Sequence, residues 1–303
     1  MIAFAPIMLS QKREYAPYLQ SCGDRGCEYS FTNLFIWGRQ KAAVIDGHLA
    51  LFSQFDRKTL YPFPVGIGDK KPVLDAIIAD SAARGIPCRF SGLTEPDIRL
   101  LEQLYPQQFC FHADRNSFDY VYSIDDLADL PGRAYQKKRN QINRFLQVYP
   151  NYALTPIDSE NLCLAQEVFD LWYDQRSHSE PAMDFHMERS AVKKALDNYE
   201  ALLLEGMLLF IDGKPVAVSI ASALSEDTFD VHFEKALEGV VSGYAFINRS
   251  FSRYLREKYP EVKWLNREDD LGLEGLRKAK LDYHPHHMVE KAWAHLLEDN
   301  YDY

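Results

Sequence analysis

Hydrophobic and polar positions along residues 1–130 follow two periods, which predict short strands and amphipathic helices in one mixed sheet. The Asp46-Gly47 pair separates two alternating runs and is typical of a β-hairpin turn. An aromatic stretch at 29–37 is expected to be half buried. Strands are predicted at 41–45, 48–55, 59–62, 88–91, 109–114 and 118–124, and helices at 9–19, 71–84 and 94–105.

The second half of the chain shows patterns in a similar order. A helix is predicted at 133–149, and Pro150 ends it because proline cannot continue a helix. Further strands are predicted at 152–157, 201–211, 215–224, 228–235, 262–267 and 287–297, and helices at 159–177, 188–199, 242–259 and 273–281. Each half has consecutive antiparallel strands, a helix–strand–helix pass and a terminal strand. The shared order favours a duplicated α+β fold with a mixed α/β sheet in each copy.

Composition places the chain among globular proteins and excludes several function classes. Of its 303 residues, 47% are hydrophobic, and a net charge of −10 argues against non-specific binding to DNA. No apolar run approaches the roughly 20 residues that cross a bilayer, and the start lacks the features of a signal peptide. Five cysteines are too few for a disulfide framework, and Cys22 and Cys27 lack zinc-site spacing. We therefore expect a cytoplasmic protein with reduced thiols and no metal.

Four segments carry a family resemblance: the aromatic stretch 29–37, KKRNQINRF at 137–145, NREDDLGLEGLRKAK at 266–280, and Tyr283-His284-Pro285. In these segments and in its element order, the chain resembles a bacterial family similar to the C-terminal domain of phosphatidylglycerol lysyltransferases. The resemblance implies two tandem GNAT-like (acyl-CoA N-acyltransferase) units, as in the Fem-type aminoacyltransferases. The domains are then expected at 1–130 and 151–303, joined by a basic linker helix at 131–150, with the active site in the C-terminal domain.

A possible phosphate turn follows the predicted strand at 228–235. In a GNAT unit, the helix after a central strand offers free backbone N–H groups to pyrophosphate. The run LEGVVSGYA at 237–245 has two glycines suited to such a turn, although Glu238 would repel phosphate. The resemblance predicts acyl-CoA or CoA binding here, whereas the alternative is a capped helix after a strand. The predicted cofactor-binding residues are Gly239, Val241, Ser242, Gly243 and Tyr244.

An acidic cluster, Glu268-Asp269-Asp270, follows the predicted strand at 262–267. Ligands gather at the carboxyl ends of strands, and three adjacent carboxylates repel one another, which raises a pKa and favours a general base. The same carboxylates would also suit an ammonium group, and the alternative is charge at a helix start. Tyr283 is predicted to protonate the leaving group, unless it is only a half-buried aromatic residue. The predicted substrate-binding residues are His232, Glu234, Asn266, Arg267 and Lys280.

Basic residues without acidic neighbours mark the predicted helix at 133–149. Such a face is expected to contact the phosphates of a tRNA acceptor stem or a nucleotide, although a solvated helix face explains it equally well. The residues concerned are Arg133, Lys137, Lys138, Arg139 and Arg144.

These observations favour an acyltransferase or aminoacyltransferase whose acceptor is an amine or a lipid head group. The acidic net charge favours acyl-CoA as the donor, whereas the basic helix and the resemblance favour aminoacyl-tRNA. The alternative is a non-catalytic module of the same fold that binds a nucleotide or a protein partner.

Overall fold

The structure, a computed structural model, describes residues 1–21, 26–55, 58–179 and 185–297; Cys22, considered above for zinc, lies outside them. The strands are β1 (Ala5–Pro6), β2 (Gln40–Ile45), β3 (His48–Phe55), β4 (Lys58–Pro62), β5 (Val65–Gly66), β6 (Arg89–Leu93), β7 (Phe109–Ala113), β8 (Asp119–Ser123), β9 (Tyr152–Pro156), β10 (Glu205–Ile211), β11 (Lys214–Ala223), β12 (Thr228–Ala236), β13 (Trp264–Asn266), β14 (His287–Val289) and β15 (Ala292–Leu296). The helices are α1 (Lys12–Gln20), α2 (Phe31–Trp37), α3 (Lys71–Arg84), α4 (Glu95–Leu104), α5 (Ile124–Asp129), α6 (Gln136–Val148), α7 (Leu162–Ser179), α8 (His186–Asp197), α9 (Tyr199–Leu202), α10 (Gly243–Lys258) and α11 (Glu274–Leu281).

The chain divides into two compact units. The first comprises Met1–Asp119, Asp269–Leu273 and the chain from Met288 onward. Its sheet has the order β1-β2-β3-β4-β6-β15-β7, with β5 paired to β3. Because α3 crosses from the β4 side to β6, these two strands run parallel, and α3 buries Leu74 and Ile77 against the core.

The second unit comprises Tyr120–Glu268 and Glu274–His287. Its sheet has the order β14-β8-β13-β12-β11-β10-β9. Here α10 connects β12 to β13, which also run parallel, while β9 to β12 form an antiparallel meander. The rings of Phe246 on α10 and Phe145 on α6 stack with centroids 3.9 Å apart, so α6 packs within this unit.

Each sheet contains one strand from the opposite part of the sequence. β15, near the end of the chain, lies between β6 and β7, whereas β8 pairs with β13 in the second sheet. The units therefore differ from the predicted domains 1–130 and 151–303, and α6 is not a linker between them. Periodicity identified the strands, but it carries no information about which strand pairs with which.

Several local elements also differ from the sequence-based predictions. The stretch 29–37 is largely buried and contains α2, whose start Ser30 caps by accepting a hydrogen bond from the backbone of Asn33. Helix α5 was not expected, and the N-terminal part of the predicted strand 201–211 belongs to α9, because a short apolar run fits a helix and a strand equally well. The predicted strand 287–297 is two strands that belong to different sheets.

The fragment of residues 1–130 alone is expected not to fold cooperatively, because it lacks β15 between β6 and β7. Urea denaturation followed by circular dichroism should show no sigmoidal transition for the fragment and a clear one for the full chain. A cooperative transition in the fragment would show that the first sheet closes without β15.

Candidate active site

The candidate active site of the second unit lies where β13 ends beside β12. The two strands pair in register only from Thr228 with Trp264 to Asp230 with Asn266. β12 continues to Ala236, and its register against β11 shifts at His232, between the pairs Val231–Ala221 and Phe233–Ile220. His232 and Glu234 therefore lie beyond the end of the parallel ladder, as ligand-binding residues of α/β sheets commonly do.

His232 is the centre of a buried polar group. Its Nε2 lies 2.8 Å from the Ser222 hydroxyl, and its Nδ1 lies 3.4 Å from Asp230 Oδ2 and 3.5 Å from Glu268 Oε1. Two carboxylates beside Nδ1 favour the tautomer that carries a proton there, which leaves Nε2 to accept from the hydroxyl. The Glu268 side chain is 22% exposed, whereas those of His232 and Asp230 are almost fully buried. Glu268 is thus the member of this group that is accessible from solvent.

Glu268 is held in an unusual backbone conformation. Its φ of 56° lies in the left-handed region, which costs free energy for a residue with a side chain. The Asn266 side chain accepts from its backbone N–H at 2.7 Å, and its carbonyl accepts from Tyr120 N and Lys280 Nζ, both at 3.1 Å. Asn266 and Lys280, predicted to bind substrate, therefore fix the backbone that presents Glu268.

Arg267 and Glu234 form the second charged group of the site. Arg267 Nη2 donates to Glu234 Oε1 at 2.8 Å, and Asn248 Nδ2 donates to Glu234 Oε2 at 3.0 Å. The guanidinium lies 4.9 Å from the centroid of the Tyr283 ring and 5.5 Å from that of Tyr122. Burial disfavours its charge, but Glu234 outweighs this effect and raises the pKa of Arg267. The guanidinium is consequently a fixed positive charge.

Two further hydrogen-bonding atoms of this group have no partner among the residues that the structure describes. They are Arg267 Nη1, a donor, and Asn248 Oδ1, an acceptor, and both are buried. Unsatisfied buried polar atoms are uncommon in folded proteins, because each one loses its hydration without replacement. A donor and an acceptor on either side of one carboxylate are suited to a polar ligand.

Lys138 packs against the same group from α6. Its Nζ lies 3.6 Å from the centroid of the Tyr283 ring, and burial lowers the pKa of Lys138 to about 8. Burial also raises the pKa of Tyr283, so its hydroxyl stays protonated at neutral pH. Lys138 was predicted to contact phosphate from solvent, but it is instead a buried amine beside the aromatic wall of the site.

The acidic cluster is divided between different environments. Asp269 and Asp270 belong to the first unit. Asp270 is buried, accepts from the Gly272 backbone at 2.9 Å and lies 3.4 Å from Arg115 Nη1. Asp269 accepts from the Leu271 backbone at 3.3 Å. In the described chain these two carboxylates stabilise a turn, whereas Glu268 contacts His232.

The predicted phosphate turn is occupied by groups of the protein itself. The Tyr149 hydroxyl accepts from Val241 N at 3.1 Å, the Val240 carbonyl accepts from Gly243 N at 3.2 Å, and Gln175 accepts from Glu238 N at 2.9 Å. A Cβ at Gly243 would lie 2.9 Å from a methyl group of Val240, so this glycine is required for packing. These three backbone N–H groups of the turn therefore already have acceptors within the protein.

Two other predicted cofactor-binding residues have local roles, and a third glycine faces open space. Ser242 adopts a left-handed φ of 58° at the start of α10, and its side chain makes no capping hydrogen bond. The Tyr244 hydroxyl accepts from Trp172 Nε1 at 2.8 Å. Gly239 has a φ of 83°, and a Cβ there would meet no atom within 4 Å.

The basic residues of α6 and its approach do not form one uniform surface. Lys137 pairs with Asp282 at 3.0 Å, and Arg139 donates to the carbonyls of Leu130 and Gly132. Lys138 is buried, as described above. Arg133 and Arg144 are exposed, so they remain accessible to a phosphate backbone.

Sequence reasoning missed Asp230, Ser222 and Asn248. Asp230 could have been found, because it precedes His232 by two residues in the same predicted strand. Ser222 required the register of β11 against β12, and Asn248 required the position of α10 over β12, neither of which periodicity supplies.

The fold resembles those of two solved proteins. A tandem GNAT protein from the clavulanic acid biosynthesis pathway has a TM-score of 0.51 and 10% identity over 99% of both chains. L-PGS from Bacillus licheniformis has a TM-score of 0.68 and 15% identity over 99% of this chain and 95% of its own. The predicted fold of two tandem GNAT-like units is thus confirmed.

The family model described as "Phosphatidylglycerol lysyltransferase, C-terminal" matches residues 20–295, and the chain belongs to this family. A conserved protein of unknown function from Bacteroides thetaiotaomicron VPI-5482 is 36% identical over 98% of this chain and 100% of its own, with a TM-score of 0.91. No sequence among the curated proteins matches the chain. Within the described ranges, no helix has both the length and the apolar character needed to cross a bilayer.

Lys138→Met is expected to change the pH dependence of stability. The pKa of Lys138 is about 8 in the folded protein and 10.5 ordinarily, so the unfolded state binds the extra proton between these values. The free energy of unfolding of the wild type should therefore rise with pH across that window. The stability of Lys138→Met relative to that of the wild type should fall from pH 7 to pH 10 by on the order of 1–3 kcal/mol.

Urea denaturation at pH 7 and pH 10 measures this difference. Lys137→Met is the matched control, because Lys137 is the neighbouring lysine of α6 and its side chain is exposed. An equal gap between wild type and Lys138→Met at both pH values would mean that the buried amine remains charged throughout.

Proposed function

We propose that this protein transfers an aminoacyl group from an aminoacyl-tRNA to an amine or to a lipid head group. The observation that carries the proposal is the contact of His232 with Glu268 and Asp230 at one ring nitrogen and with Ser222 at the other. A partly exposed carboxylate that is backed by a buried imidazole and a second carboxylate is suited to accept a proton from a nucleophile. Family membership and the tandem GNAT fold support the same class of reaction.

In the proposed reaction, the nucleophile of the acceptor attacks the carbonyl carbon of the aminoacyl ester. A new C–N or C–O bond forms, the ester C–O bond of the tRNA breaks, and the ribose hydroxyl leaves. Glu268 takes the proton of the nucleophile, and the same proton then passes to the leaving ribose oxygen. His232 and Asp230 position Glu268 and share the proton while the tetrahedral intermediate exists.

The unsatisfied atoms of the second charged group favour an aminoacyl group over a simple acyl group. Arg267 Nη1 has a free N–H for the oxygen that becomes negative in the transition state. Asn248 Oδ1, together with the Glu234 carboxylate, offers acceptors for an ammonium group. An aminoacyl ester carries a carbonyl and an ammonium on adjacent carbon atoms, so it supplies both complementary partners.

The state of the turn before α10 supports tRNA over CoA as the donor. Its N–H groups at Val241 and Gly243 already have acceptors, so bound pyrophosphate would have to displace the Tyr149 hydroxyl from Val241. Exposed Arg133 and Arg144 would instead contribute to binding a tRNA phosphate backbone.

Glu268→Gln is expected to slow aminoacyl transfer by about 10²–10⁴-fold, because the amide cannot accept the proton of the nucleophile. The assay follows label from a mixture of radiolabelled aminoacyl-tRNAs into polyamines or phosphatidylglycerol vesicles. Asp269→Asn is the matched control and should retain the wild-type rate. Thermal unfolding of both variants should match that of wild type, since Glu268 is partly exposed.

Equal rates for wild type and Glu268→Gln would remove Glu268 from the chemistry. No transfer by wild type to either class of acceptor would favour the alternative of a non-catalytic binding module.

Coenzyme A is expected not to bind wild type at the turn, because the N–H groups of Val241 and Gly243 already have acceptors within the protein. Tyr149→Phe removes the acceptor of Val241 N and should permit at most weak binding. Calorimetric titration of acetyl-CoA into both proteins measures this. Binding to wild type that disappears in Gly243→Asp would contradict the expectation and restore CoA as the donor.

A further inference from the structure

In the first unit, β7 and β15 place four aromatic or sulfur-containing side chains on one sheet face. The register pairs His112 with Trp293 and Cys110 with His295, so the four alternate with residues that point to the other face. Phe109 and Ala294, on that other face, belong to the hydrophobic core of the unit. The face with cysteine and histidine is therefore outside the core, and the Cys110 and His112 side chains are partly exposed.

Three of these side chains bring metal-ligating atoms together. Cys110 Sγ lies 3.4 Å from His112 Nε2, and one ligand atom each from Cys110, His112 and His295 lie within 4.8 Å of one another. A tetrahedral zinc ion with Zn–S of about 2.3 Å and Zn–N of about 2.0–2.1 Å holds its ligand atoms about 3.5 Å apart. The Cys110–His112 pair already has this separation, and His295 needs to approach by about 1 Å.

We propose that Cys110, His112 and His295 form a site for a zinc ion. One thiolate and two imidazoles are the ligands that zinc takes in proteins, and the set contains no carboxylate that would favour magnesium or calcium. With three protein ligands, the fourth position is left for water. Since Cys110 and His112 are partly exposed, the ion enters from solvent.

The surroundings of the site bear on its geometry and its affinity. The Trp293 ring stacks on His112 with centroids 4.1 Å apart and restrains that imidazole. The rings of His112 and His295 are nearly parallel, at 13°, so the His295 ring rotates to direct its nitrogen at a shared ion. Arg89 is the neighbour of His295 on β6, and its positive charge opposes a cation that the Cys110 thiolate attracts. Affinity is consequently expected to be moderate.

Another cluster of the same unit shows why ligand atoms alone are not enough. Cys27, Glu28 and Asp119 also lie close together. There, however, the Lys291 ammonium lies 2.6 Å from Glu28 and 2.7 Å from Asp119, where a metal cation would otherwise bind. The Cys110 group has no carboxylates to attract such an amine, and its ligands are those of a softer metal.

The test is metal binding by the full-length protein after removal of metal with a chelator. Zinc titration against a chromophoric chelator should give one equivalent bound. Cobalt substitution should produce a thiolate-to-cobalt charge-transfer band, which requires a cysteine ligand. Cys110→Ser should abolish the band and lower zinc affinity at least tenfold, and His295→Gln should lower the affinity by a similar factor.

Two matched variants control for adventitious binding. Cys163→Ser changes an exposed cysteine of α7, and His286→Gln changes an exposed histidine pair whose ring nitrogens lie 3.0 Å apart. Neither should alter the cobalt band or the affinity. Absence of the band in wild type, or zinc binding that survives Cys110→Ser but not His286→Gln, would overturn the proposal. The wild-type cobalt spectrum decides the matter even if a variant fails to fold.

Discussion

The parallel pairing of β12 with β13 stops at Asp230 and Asn266, and the polar chemistry of the second unit depends on that stop. β12 continues to Ala236, so His232 and Glu234 lie beyond the ladder. After β13, Arg267 pairs with Glu234. The next residue, Glu268, adopts a left-handed backbone conformation that directs its side chain to His232. His232 with Asp230 and Glu268, and Arg267 with Glu234, thus form two charged groups around the end of this ladder.

Local sequence determined most elements of the fold but not their pairing. The Asp46-Gly47 turn occurs as expected, and the end of α3 at Gly85 and the capping of α4 by Thr94 are likewise local interactions. The placement of β8 and β15 is not local. Both strands pair with residues more than a hundred positions away, and their apolar alternation fits either sheet. Domain bounds inferred from sequence order were therefore displaced.

The same distinction separates the parts of the site that sequence could and could not predict. His232 and Glu234 lie on one predicted strand, and Arg267 and Glu268 follow the next strand, so the element order placed them near one another. Adjacent residues, however, need not share an environment: a turn separates Glu268 from Asp270, which pairs with Arg115. The contact between Tyr149 and the turn before α10 depends on the packing of α6, which no local pattern indicates.

The energetics of buried charge separate structural groups from candidate ligand-binding groups in this chain. Asp80 is a buried carboxylate whose oxygens accept from Ile2 N, Tyr61 and Arg84 at 2.6–2.9 Å, so its desolvation is offset within the fold. Around Glu234 the cost of desolvation is only partly offset, because Arg267 Nη1 and Asn248 Oδ1 have no partner among the described residues. A buried ion pair contributes little to stability on its own, and apolar replacement is often neutral or better.

Lys138 adds a further energetic cost, because burial disfavours its charged form and lowers its pKa to about 8. The protein thus satisfies the buried charge of Asp80 completely but leaves the group around Glu234 short of hydrogen-bond partners. Unused hydrogen-bonding capacity beside the paired charges of Arg267 and Glu234 is therefore what distinguishes the end of β12 and β13 as the candidate ligand site.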